Sequence, residues 1–145
     1  YFSLNREQNM AKSWVEKRDT NKKGHVKINA KRFADIPAGT RMLIPTPKIV
    51  DDFVRTIPNG CFMNTKDLRN KLASQYDAEM TCALVTGIFL RIISEAAYEE
   101  YQLDKNIEKI TPFWRVVDPD SRLANKLTFG TEFLIQNQAN ENIHF

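Results

Sequence analysis

Transfer of a group to a protein side chain needs a nucleophile with a base beside it, and this chain offers few of either. It carries two cysteines, Cys61 and Cys82, and two histidines, His25 and His144, near the two ends. Neither thiol has His or Cys partners at zinc-site spacing, so no metal and no cofactor is expected. Two cysteines cannot form a disulfide framework and read as free thiols in a reducing cytoplasm. The densest run of chemically able side chains is ITPFWRVVD, residues 110–118, where a Pro, two large aromatics, an Arg and a β-branched pair follow one another. It is either a buried structural corner or a reactive site whose key residue has been replaced.

The elements that must hold these residues are readable in outline. At 145 residues the chain is long enough for one domain with a single core. Its longest apolar runs are short, as in CALV, so no membrane span is expected, and no export signal is apparent. Residues 1–41 hold ten Lys/Arg against four Asp/Glu, whereas residues 42–145 hold eleven against fourteen. A basic, partly irregular N-terminal arm on a mildly acidic body is the expectation. Such an arm can touch phosphate through counterion release, with a solvated tail as the alternative. HVKINA within it has the alternation of a short strand, and YFSLNREQN before Met10 reads as an extension from upstream of the natural start.

Thr46–Pro47 opens a helix, since Thr caps free amides and Pro at the first position loses no hydrogen bond. Ile49, Val50, Phe53, Val54 and Ile57 follow at helical spacing until Pro58 and Gly60 stop it. A second helix from Asn64 or Thr65 buries Leu68, Leu72 and Ala73 and turns Lys66, Arg69 and Lys71 outward. A third spans about Thr81 to Gln102, with Gly87 in its interior at a cost of about 1 kcal/mol relative to Ala, a residue usually retained for a close approach. FWRVV reads as a short strand or extended corner and TEFLIQNQ as a last short helix. The fold class expected is mainly α (α+β), a helix-turn-helix arrangement with a minor β element.

Four segments in order carry a resemblance: VDDFVRTIPNG (50–60), DLRNKLA, VTGIFLR with Gly87 and Arg91, and ITPFWRVVDPDSRLA. Over residues 46 to about 136 the chain resembles the C-terminal domain of the O6-alkylguanine-DNA alkyltransferases, which implies a winged-helix-like domain over 42–145. That family transfers an alkyl group from guanine to a cysteine whose position here is Phe113, and the neighbouring His position is Trp114. A phenyl ring cannot accept an alkyl group, so transfer at this site is excluded. The family's base-replacing Arg corresponds to Leu84 and its nucleotide-rotating Tyr to Thr65.

The resemblance is nearest to the alkyltransferase-like proteins, which lack the acceptor cysteine and bind alkylated DNA without repairing it. It implies a monomeric, cytoplasmic, non-catalytic protein that binds double-stranded DNA, recognises alkylated guanine by base flipping and engages a DNA-repair partner. Thr65, Lys66, Arg69, Thr81, Leu84, Gly87 and Arg91 would face DNA. Phe113, Trp114 and Arg115 would form a vestigial base pocket, with plain core packing as the alternative for the two aromatics. Arg115 would also anchor to backbone carbonyls. Two other readings stand beside this one: a protein-interaction or regulatory domain on the same scaffold, and an enzyme with its acceptor relocated to Cys82.

Overall fold

The computed structural model describes residues 12–145; the proposed extension over residues 1–9 lies outside them. The described chain is mainly helical, with six α-helices and a small three-stranded sheet, an α+β arrangement. In chain order these are α1 (Trp14–Arg18), β1 (His25–Ile28), β2 (Arg41–Ile44), α2 (Pro47–Val54), α3 (Thr65–Gln75), β3 (Met80–Thr81), α4 (Ala83–Asp104), α5 (Arg122–Lys126) and α6 (Glu132–Asn140). Among the described residues no helix is long and apolar enough to cross a membrane.

Local chemistry explains most of the boundaries. The Thr46 hydroxyl accepts from the Ile49 amide at 3.2 Å and caps α2 behind Pro47. Asn64 caps α3 by accepting from Asp67 N–H at 2.8 Å. Gly60, in the turn after α2, has φ +83°, a left-handed conformation that suits glycine. The long α4 stops where Lys105 takes φ 56°. Its buried hydroxyls Thr86 and Ser94 donate back to Cys82 and Leu90 carbonyls, so no polar atom is stranded along its inner face there.

The main core cluster is built from Val50, Val54, Leu68, Leu72, Leu90, Ile93, Phe113, Val116, Val117 and Leu134, each almost completely buried, and a second, smaller cluster holds Ile36, Met42 and Cys82. α1 and α2 are the main helical neighbours of α4. Beneath α2 the buried Asp51 accepts from the Thr111 hydroxyl and pairs with Arg55 at 3.0 Å. These bonds satisfy a carboxylate that would be costly to bury alone.

The strand order is β1-β2-β3, with β1 antiparallel to β2 (Val26 opposite Leu43) and β2 parallel to β3 (Leu43 opposite Thr81). HVKINA therefore yields the expected strand. The described part of the segment expected as an arm, residues 12–41, is folded onto the body. Ser13 and Glu16 form a capping box at the start of α1. The Trp14 and Val15 amides donate to the Glu99 carboxylate on α4, at 3.1 and 3.3 Å. Arg18 is buried between Asp19 and Glu100, at 2.8 and 2.6 Å. Asp19 raises the Arg18 pKa, burial opposes it, and Glu100 adds to the rise.

One local expectation is corrected and one holds. Residues Phe113–Arg115 form a 3-10 turn, not a strand. The β-branched pair that follows suggests extension, but burial of Phe113 and Trp114 beneath α6 curls the chain. The last helix is found as expected, at Glu132–Asn140.

Candidate functional site

The aromatic corner is sealed. Phe113 is 0% exposed and Trp114 3%, so neither lines a cavity and the expected vestigial pocket is not formed by them. Phe113 packs among Trp114, Phe129 and Phe133, with ring centroids 5.5 to 6.1 Å apart. The Trp114 indole donates to Glu141 at 2.7 Å, and Arg115 donates to both Glu141 oxygens at 2.9 Å and to the Ile57 carbonyl at 2.7 Å. One of the three Arg115 bonds thus reaches the backbone, as expected; the other two meet a carboxylate that no local pattern revealed. Burial pushes the Glu141 carboxyl up, but the Arg115 guanidinium, the Gly60 amide and the Trp114 indole outweigh it and hold the carboxyl below its ordinary value. No charge in this corner is left for a ligand.

The open part of the molecule is the outer face of α4. Leu84, Gly87, Ile88 and Arg91 recur there at helical spacing, with Leu84 57% and Ile88 49% exposed. A β-carbon added to Gly87 would meet nothing within 4 Å. The glycine therefore serves no internal close packing, and the space over it is free for another molecule.

Two concavities flank this glycine and share Ala83, Gly87, Arg122 and Leu123. On one side is a cleft of about 430 Å³ between the start of α3 and the 116–123 segment, walled by Phe62, Thr65, Thr86, Leu90, Val116 and Val117. On the other is a groove of about 690 Å³ bordered by Trp14 and the cations Lys17, Arg91, Arg122 and Lys126, with no carboxylate in its lining. Lys17 sits 4.2 Å from the Trp14 ring centroid and Arg91 5.4 Å, so the indole holds two cations by their attraction to its π face. The Arg91 Nε has no hydrogen-bond partner. Its nearest carboxylate, Glu95 at 3.9 Å, already accepts from the Thr128 amide and hydroxyl.

The residues expected to face DNA divide into two groups. Thr65, Leu84, Gly87 and Arg91 lie on the cleft or groove, and Lys66 is exposed beside Thr65. Arg69 and Thr81 are corrected: Arg69 lines the cleft but is only 7% exposed, and Thr81 is 0% exposed. Arg69 donates to both Asp35 oxygens, at 2.7 and 3.0 Å, and to the Thr81 carbonyl at 2.9 Å, while the Thr81 hydroxyl donates to the Arg69 carbonyl. These two side chains hold the fold together and are not free for phosphate.

Trp14, Lys17, Arg122 and Lys126 belong to the groove and were not among the expected residues. The Ser13–Glu16 capping box was a legible signal for the helix that presents Trp14 and Lys17. Cys82 is 6% exposed and packs with Ile36 and Met42, whereas Cys61 is exposed. Among the described residues no group of three or more His, Cys, Asp or Glu side chains is placed to hold a metal ion. Comparison of the chain with models of protein families, with curated proteins and with solved structures finds no match.

Proposed function

We propose that this chain is a non-catalytic double-stranded-DNA-binding protein of the alkyltransferase-like kind, on a winged-helix-like scaffold, with α4 as the helix laid against the duplex. The observation that carries the reading is the α4 face. A helical stripe of two exposed apolar side chains and an uncovered glycine runs along a groove with four cations and no carboxylate. Lys17, Arg91, Arg122 and Lys126 would neutralise phosphates, and Leu84 would press against the groove wall or between bases. Gly87 would permit the close approach.

In its sharper form the reading includes recognition of alkylated guanine by base flipping. The cleft beside Gly87 falls within the volume range of small-molecule sites and mixes apolar walls, such as Phe62, Leu90 and Val116, with polar groups that include Thr65, Asp118 and Arg122. An extruded base would enter this cleft and not the aromatic corner. A DNA-repair protein would then read the bound lesion.

Fluorescence anisotropy on matched duplexes, one with O6-methylguanine and one with guanine, across a salt series tests both levels. Tighter binding to the lesion supports the sensor. Equal binding that weakens steeply with salt supports a general duplex binder. Absence of binding at the lowest salt overturns the DNA reading and favours a protein-interaction domain, for which the exposed Leu84 and Ile88 would be the contact. A methyl-sized mass increase that peptide mapping locates at Cys82 after incubation with the lesion duplex would instead support an enzyme with Cys82 as acceptor.

A further inference from the structure

The β1–β2 hairpin carries a further group of exposed cations. Lys27, Lys31 and Arg32 are exposed on it, and among the described residues none of the three has an ion-pair partner. The one carboxylate of the loop, Asp35, is engaged by Arg69, whose hydrogen bonds hold its carboxyl below the usual range.

A merely solvated loop needs no interior attachments, and this one has several. The buried Asn29 amide donates to the Ile36 and Pro37 carbonyls, at 3.3 and 3.4 Å. The Asn29 N–H donates to Thr40 and its carbonyl accepts from Gly39. Ile36 is 1% exposed and packs with Met42 and Cys82, against Val85 in the first turns of α4. Phe33 and Ile36 exchange both backbone hydrogen bonds, at 2.9 and 2.8 Å, around Ala34 at φ 52°. That left-handed geometry is unfavourable for an L-residue and persists here because the flanking contacts impose it. The outcome is a fixed tip that turns Phe33 and the cations outward, with Ile28 also exposed at the end of β1. Arg69 both grips Asp35 and lines the cleft beside Gly87, so the loop is pinned to the edge of the α4 face.

We propose that the β1–β2 hairpin is a second duplex-binding element, in which Lys27, Lys31 and Arg32 contact phosphodiesters and Phe33 packs against the sugar edge of the neighbouring groove. This inference rests on the DNA-binding reading of α4. Arg69 and Asp35 are positioning residues in it and touch no nucleic acid.

The test compares the wild-type chain with the triple variant Lys27→Gln/Lys31→Gln/Arg32→Gln and with Phe33→Ala on a labelled unmodified duplex, after thermal melts confirm that each variant is folded. Loss of three phosphate contacts makes the log–log salt slope shallower by about 2.7. Phe33→Ala weakens binding several-fold and leaves the slope unchanged. A triple variant with wild-type affinity and slope would overturn the hairpin contact while leaving the α4 reading intact. Absence of wild-type binding at low salt would sink both. Unchanged duplex binding together with lost binding to phosphatidylserine vesicles would reassign the hairpin to a membrane surface and also overturn the proposal.

Discussion

Two tryptophans with neighbouring cations give the molecule its most instructive contrast. Trp114 is buried and Arg115 half-buried, both closed on Glu141, whereas Trp14, Lys17 and Arg91 border an open groove with no carboxylate in its lining. The residue types are nearly the same, and the difference lies in the partner. A carboxylate that accepts from both indole and guanidinium turns the first set into a structural latch. Its absence leaves the second set able to meet an outside anion. The proposal of a binding face on α4, and not on the more conspicuous aromatic corner, rests on that difference.

The contrast breaks most visibly at Phe113. Replacement by Ala leaves a cavity among Trp114, Phe129 and Phe133 and lowers unfolding stability by about 3–5 kcal/mol, read from urea denaturation. A change below about 1 kcal/mol would mean that the corner is loose enough to admit a ligand after all. The latch comes next. Glu141→Gln keeps an acceptor but removes the charge, at a cost of about 2 kcal/mol.

The pH dependence of that latch has a definite sign. The folded Glu141 carboxyl is held below its ordinary value of 4.5. Its contribution is therefore complete above that value and is lost as pH falls through the lower folded one. Acid titration of stability should consequently be flatter in Glu141→Gln than in the wild type. Identical acid profiles would show that other carboxylates dominate.

The smallest effect sharpens the open side of the comparison. Gly87→Ala should stabilise the fold by about 0.5–1 kcal/mol, because the new methyl meets nothing and the helix interior gains propensity. The same methyl stands where the proposed duplex would approach, so affinity should fall as stability rises. Paired melting and binding curves read both. A stabilised variant with unchanged affinity would move the contact away from Gly87.

Much of this was legible in the residues. The caps Thr46 and Asn64, the stop at Pro58–Gly60 and the last helix all follow from local chemistry that tertiary packing does not override. The face of Arg69 was not legible. Its burial depends on Asp35, 34 positions away on a hairpin tip, and no helical periodicity records such a partner. Glu141 was hidden for the same reason, 26 positions from Arg115. Leu84, Gly87 and Arg91 were named through the resemblance, but the cations that complete their groove come from α1 and α5 and only the fold assembles them.

Amide hydrogen exchange on the free protein and on the protein with duplex added compares the two regions in one experiment. The account predicts slowed exchange over residues 83–91 and the α1 segment, with residues 113–117 unchanged. Protection confined to 113–117, with the α4 face unaffected, would contradict it.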